Sequence, residues 1–184
     1  DCTAMLSAAR KAGRAVAGSR PCALALPHAG HVYSGPVAAS GYAVLLPWFE
    51  TWKRVVLLGP CHRAHVRGMA LSGARGFATP LGTMAVDLEA SAVLAAMAGV
   101  ETRPEAHAEE HSLEVHLPFL QLVLGHCSLV PVLVGHADPL QVAAVLEALW
   151  NPETLVIVST DLSHFLDARH ARLRDTNTIG RIVS

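Results

Sequence analysis

Three short apolar runs in this chain each stop at a histidine. Residues 22–36, CALALPHAGHVYSGP, carry an apolar run into Pro27 and then His28. Residues 54–59, RVVLLG, run into Pro60, Cys61 and His62, and residues 154–160, TLVIVST, run into Asp161, Leu162, Ser163 and His164. Each run is too short for a typical helix and fits a buried strand. If the three strands are parallel neighbours, their carboxyl ends share one edge, where open α/β sheets hold their ligands. His28, His62 and His164 then converge on one pocket.

The segments between these runs supply helices. Residues 3–17 are alanine-rich, with Arg10, Lys11 and Arg14 near the end where cations suit the helix dipole, so a surface helix is expected. Gly30 and Gly35 bracket a loop, a helix follows over residues 36–46, and Pro47 closes it. With the strand from Arg54 this makes a βαβ unit. Residues 69–72 and 82–86 are short and punctuated by glycine and proline, and read as an excursion that extends or edges the sheet. Asp87 caps a helix over 87–98 that stops before Gly99. A further helix over 112–125 has Leu113, His116, Leu117, Leu120 and Leu124 on one stripe. A strand over 130–135, a helix over 139–150, the strand over 154–160 and a helix from Asp167 complete the alternation. The fold class that follows is α/β, a three-layer α/β/α sandwich with a mainly parallel central sheet, in one domain over residues 1–184.

Composition excludes several partners. At 52% hydrophobic and 16% charged residues the chain is core-rich, and 184 residues suffice to bury roughly 70% of the unfolded surface. A net charge of -1 without a basic run gives no footprint for nucleic acid or for an anionic membrane surface. No apolar run approaches the ~20 residues of a membrane span, and the opening residues lack the order of a signal peptide, so a cytoplasmic location is expected. Four cysteines without framework spacing fit buried thiols in a reducing compartment. The first residue is not Met and the last residues fall inside a helical pattern, so a fragment cut at both ends is expected.

Eleven histidines are the unusual feature. A transition metal such as iron(II), zinc or copper is held by neutral imidazoles, and positions just after strand ends hold them rigidly while leaving a side open for substrate. A single histidine after a strand is more often ordinary pocket lining; three repeats favour a site at His28 and His62. His31 and His65, spaced HxxH from them, read as pocket lining or solvated residues. Asp161 either orients His164 or caps the next helix, and His164 is placed to shuttle a proton. The run from Glu109 to His116 is not a zincin box, because His111 and His116 lie about 140° apart on a helix. Its acidic residues suit a helix start without any chemistry. His111 is expected in the pocket and His116 on the apolar stripe. Cys61 reads as a small buried thiol or a metal ligand, and Tyr33 joins the expected pocket lining.

The segments PHAGHVYSGPVAA (27–39), LLGPCH (57–62), TPLGTMAVD (79–87), EEHSLEVHLPFLQ (109–121), VPVLVG (130–135) and VSTDLSHF (158–165) together resemble the Memo family, the B protein of the AmmeMemoRadiSam set. The resemblance runs from about Pro21 to the end of the chain. It implies a fold like that of the class III extradiol ring-cleavage dioxygenases, with metal ligands at His28 and His62 and a pocket pair at Asp161 and His164. It also implies a mononuclear iron(II) or copper site, with zinc as a further candidate. The third ligand, a cysteine in Memo proteins and a glutamate in the dioxygenases, is expected beyond Ser184. The activity implied is metal-dependent redox chemistry on a small-molecule substrate. Alternatives are ring-cleaving dioxygenation, or a non-catalytic module that binds a peptide in the same pocket. Partners implied by the resemblance alone are AMMECR1-like and radical SAM proteins. His31 departs from the family's usual aromatic residue.

Overall fold

The computed structural model describes residues 1–12 and 19–183. The strands are β1 (Ala23–Leu26), β2 (Arg54–Pro60), β3 (Met69–Leu71), β4 (Gly76–Thr79), β5 (Gly82–Ala85), β6 (Val100–Thr102), β7 (Ser128–Val134) and β8 (Thr154–Ser159). The helices are α1 (Cys2–Lys11), α2 (His31–Tyr42), α3 (Leu88–Ala95), α4 (Pro104–His107), α5 (Leu117–Leu124), α6 (Pro139–Leu149) and α7 (Ala168–Ile182). Six strands form one sheet in the order β1-β8-β2-β7-β3-β6, and β4 pairs with β5 in a separate hairpin. The three strands that end in histidine-bearing loops are indeed neighbours: β8 lies between β1 and β2 and is parallel to both.

Alternation along each strand explains the layers. In β2, Val55 and Leu57 pack with Tyr42, Leu45, Phe119 and Leu120 on one face. Val56 and Leu58 pack with Leu94, Val145 and Leu149 on the other. Because both sets are apolar, the sheet must be covered on both sides, with α1, α2 and α5 on the first and α3 and α6 on the second. The mainly parallel α/β sheet with helices on both faces agrees with the fold class expected from the sequence.

One strand breaks the parallel order. β3 runs antiparallel to β7 and parallel to β6. It turns in through Gly68, whose φ is +86° and whose absent Cβ would lie 2.1 Å from the Gly99 carbonyl oxygen, so only glycine fits there. Pro131 of β7 stands one register past Leu71 and has no N–H to extend the ladder, which helps to keep β3 to three residues.

Several element boundaries differ from the expectation. No loop separates Gly30 from Gly35: α2 begins at His31 and includes Pro36, and the stretch that ends near Pro47 is a 3-10 turn over Ala43–Trp48. Tertiary contact overrides the local signal, because Gly35 lets Met5 of α1 approach to 2.7 Å from where a Cβ would stand. The expected helix over 3–17 is observed as Cys2–Lys11, and residues 13–18 lie outside the described residues. Asp87 caps α3 by accepting from the Ala90 N–H, as expected, although α3 closes at Ala95. The helix expected over 112–125 is a 3-10 turn, Glu114–His116, followed by α5. Helix α7 is capped by Asp167, whose side chain accepts from the N–H groups of Arg169 and His170, which removes the capping role considered for Asp161. Sequence patterning also missed β4, β6 and α4. Among the described residues, no helix is long and apolar enough to cross a membrane.

Candidate metal centre

His28 follows β1 directly and is 2% exposed. Its Nδ1 lies 2.7 Å from Ser159 Oγ at the end of β8. That hydroxyl gives its only proton to the Ser112 carbonyl oxygen at 2.6 Å, so it must accept from His28 Nδ1–H, and the lone pair sits on Nε2. Burial lowers the His28 pKa, partly offset by the nearby Asp161, and keeps the ring neutral. The strand end thus fixes both the orientation and the tautomer of this imidazole.

His62 is held at the end of β2 by a carboxylate that sequence reasoning dismissed. Glu110 accepts from the His62 backbone N–H at 2.5 Å and from His62 Nδ1 at 3.0 Å, and also from the N–H groups of His111 and Ser112. Burial alone would raise the Glu110 pKa; the hydrogen bonds from His62 and Ser112 outweigh it and bring it down to about 2. An ionised carboxylate accepts only, so His62 Nδ1 is the donor, and in the neutral ring the lone pair lies on Nε2. Glu110 does not lie at a helix start as expected. It sits in a turn that Ser112 ties to β2 through a 2.8 Å bond from its hydroxyl to the Pro60 carbonyl oxygen. Gly59 makes that approach feasible, since a Cβ there would meet Ser112 Oγ at 2.9 Å.

His111 comes from the same turn, and its Nδ1 is 3.4 Å from Glu110 Oε1. The rings of His28, His62 and His111 form a triangle with centroid separations of 5.3, 5.9 and 5.3 Å. Ligand-capable atoms of His62, Glu110 and His111 all lie within 4.8 Å of one another. Asp161 anchors the β1 loop by accepting from the N–H groups of His28 (2.7 Å) and Ala29 (3.3 Å). Its Oδ2 faces His28 Nε2 at 3.6 Å and His164 Nε2 at 4.0 Å. His164 donates Nδ1–H to the Leu162 carbonyl at 3.0 Å, so in the neutral ring the lone pair lies on Nε2. The loop that presents it holds two non-glycine residues at positive φ, Leu162 (62°) and Phe165 (58°), a conformation that surrounding contacts must maintain. Lone pairs and a carboxylate oxygen face one another here with no proton assigned between them. Such a donor set fits a cation.

Not every expected pocket residue is part of this cluster. His31 turns to the helical layer: its Nε2 is 2.7 Å from the Val115 carbonyl oxygen and its ring meets Phe119 edge-on. Tyr33, 84% exposed, lies on the outer surface of α2. The Cys61 thiol bonds to the Ala64 carbonyl oxygen at 3.2 Å. The His65 ring lies tilted against that of His136, with centroids 5.2 Å apart. Sequence reasoning missed Glu110, Ser112 and Ser159. The signal for the first was present in the EEHS run, but nothing in the pattern distinguishes a buried carboxylate from an exposed one. A recess of about 320 Å³ lies beside the strand ends, lined by Leu58, Pro60, Val134, Val142, Val158 and Thr160.

A parallel α/β sheet with clustered imidazoles at the carboxyl ends of adjacent strands describes a class of proteins with ligand sites at the sheet edge. Comparison with known proteins narrows the class: a family model described as Memo-like protein matches residues 2–184. A MEMO1 family protein of Thermotoga sp. strain RQ2 is 36% identical over 170 residues, covering 89% of this chain and 61% of the relative. Another, from Methanopyrus kandleri, is 38% identical over 175 residues, covering 89% and 62%. One from Thermotoga maritima is 37% identical over 168 residues, covering 88% and 60%. The chain belongs to the Memo-like family, and it spans about 60% of the length of these curated relatives.

Proposed function

We propose that this chain forms a mononuclear metal site on His28 and His62 and serves metal-dependent redox chemistry on a small-molecule substrate. The observation that carries the reading is the pinning of Nδ1 on both imidazoles, by Ser159 and by Glu110, which leaves both Nε2 lone pairs available with the rings 5.3 Å apart. Imidazole donors suit iron(II) or copper, and zinc as well. A bound redox metal would supply electron transfer or oxygen activation at the strand ends. The protein's own contribution is to hold the two rings, to keep His28 neutral by burial, and to place His164 where it can exchange a proton with a bound substrate. Asp161 positions the His28 loop through two backbone N–H groups and faces the His164 ring.

Ring-cleaving dioxygenation is the second reading. It draws on Glu110, which gives the cluster the two-imidazole, one-carboxylate composition of non-haem iron oxygenases. The Glu110 oxygens, however, already take four N–H donors, which suits an anchoring role better than direct ligation. Elemental analysis of anaerobically purified protein, beside the His28→Ala/His62→Ala variant, tests the first reading. Near-stoichiometric iron or copper that vanishes in the variant is the expected result. Absence of bound metal, with no oxygen uptake on adding iron(II) or copper(I), overturns it. Oxygen uptake with catechols in the iron-loaded protein decides for the second.

A further inference from the structure

The edge of the sheet away from the imidazole cluster holds a cavity that the metal reading leaves unused. β2 and β7 run parallel over seven residues each, so their amino ends stand about 20 Å from the rim that carries His62. At this far edge β5 lies beside the start of β7, and the two meet at one parallel bridge, Val86 to Leu129. The Asp87 N–H donates to the Leu129 carbonyl oxygen there at 2.8 Å. On the amino side of the bridge the two segments part, and a cavity of about 570 Å³ opens between residues 82–85 and 125–128. Binding sites for small molecules have volumes of this size.

The cavity walls carry positive charge without a counter-charge. Lys53 and His126 line them, and neither has an ion pair or a side-chain hydrogen bond among the described residues. No aspartate or glutamate lines the cavity among the described residues. Asp87, at the bridge, is already engaged by the Arg54 guanidinium at 2.7 Å, the Ser128 hydroxyl at 3.2 Å and the Ala90 N–H at 2.9 Å. A backbone donor points in as well. The Val86 N–H gives to the Arg75 carbonyl oxygen on the β4 side at 3.0 Å, so alternation along the strand places the Thr83 N–H on the opposite, cavity edge. Leu81 and the buried Met84 add apolar surface. The carboxyl end of α5 borders the cavity at Gln121 and Gly125, and its carbonyls carry about half a unit of negative charge. One negative charge on a ligand is therefore balanced by Lys53, whereas a doubly charged phosphate is not.

We propose that this cavity is a second ligand site, which binds a small carboxylate with an apolar body. The headgroup lies on Lys53, His126 and the Thr83 N–H, and the body on Leu81 and Met84. The site stands apart from the metal centre and does not rest on the metal reading.

Hexanoate titrated into the isotope-labelled full chain provides the probe, followed by amide chemical shifts, with hexanol, hexylamine and hexyl phosphate as companions. Saturable shifts at the amides of Lys53, Thr83 and Cys127 are expected with millimolar hexanoate, while those of His28 and His62 stay in place. Lys53→Gln should weaken binding by about tenfold or more, the loss expected when a charged hydrogen-bond donor is removed. Thr83→Trp, which fills the cavity, should abolish it. Lys53 and Thr83 are both exposed, so the remaining amide pattern of each variant should match wild type. Equal shifts from hexanol or hexylamine overturn recognition by negative charge, and tighter binding of hexyl phosphate overturns the carboxylate assignment. Wild-type affinity in Lys53→Gln, or no saturable shift at these amides in wild type, overturns the site.

Discussion

Two histidine-bearing regions lie on either side of the same turn and behave oppositely. At the strand-end rim, His28, His62 and His111 each have an acceptor near one nitrogen and leave the other facing shared space. In the helical layer, His116 is 1% exposed and meets the Tyr42 hydroxyl at 2.9 Å, and its Nε2 has no hydrogen-bond partner. Burial drives its pKa down to about 3. His28 is as buried as His116, so burial does not separate the two groups. What separates them is whether the second nitrogen faces the other groups of the cluster or, as in His116, is buried with no hydrogen-bond partner.

That contrast breaks most visibly at the rim. Replacing His28 and His62 together with alanine should abolish metal uptake altogether, read by elemental analysis, whereas His116→Gln should leave it intact. Ser159→Ala frees His28 Nδ1 without touching the ring. It should weaken metal affinity by about 10–100-fold in a competition titration with a chromogenic chelator. An unchanged affinity would mean that the hydroxyl does not set the tautomer.

Acidification sharpens the comparison, because the two regions lose stability in different windows. The unfolded chain protonates His116 near its ordinary value of 6.5, while the folded chain refuses that proton until about 3. Stability is therefore complete above pH 6.5 and drains as pH falls toward 3, at up to about 1.4 kcal/mol per pH unit. Glu110, with a folded value of about 2 against an ordinary 4.5, contributes stability above pH 4.5 that is lost as pH falls from there toward 2. Urea midpoints stepped through pH should show His116→Gln flattening the upper window and Glu110→Gln only the lower. A smaller effect is expected for Tyr42→Phe, which leaves His116 Nδ1 unpaired in the core and should cost about 1–3 kcal/mol by urea titration. Smallest of all, Tyr33→Ser on the open surface of α2 should stay within about 0.5 kcal/mol of wild type.

The parallel sheet and the strand-end placement of His28 and His62 were legible because both depend on local patterns: an apolar run long enough for one strand, then a break, then a polar residue. The adjacency of β1, β8 and β2 followed from treating the three repeats as one design. What stayed hidden depends on long-range contact. His31 reads as pocket lining or a solvated residue, but α2 starts at His31 and carries its ring to Phe119 instead. Glu110 looked like a helix-start charge, because its meeting with the backbone of His62, 48 residues earlier, has no signature in either stretch. The antiparallel insertion of β3 depends on a glycine-to-glycine approach between Gly68 and Gly99 that composition alone does not announce.

The strand order has a consequence for how the chain is made. Among the described residues, β1 pairs with β8 and β2 with β7 and β8, so neither of the first two strands has a sheet partner in the described residues before Ser128. During synthesis at about 5–20 residues per second, these apolar strands must wait several seconds for their neighbours to emerge. Among the described strands, the short β3–β6 pair and the β4–β5 hairpin can form in that interval. The rim is assembled only when β8 slides between β1 and β2 and Ser159 arrives beside His28.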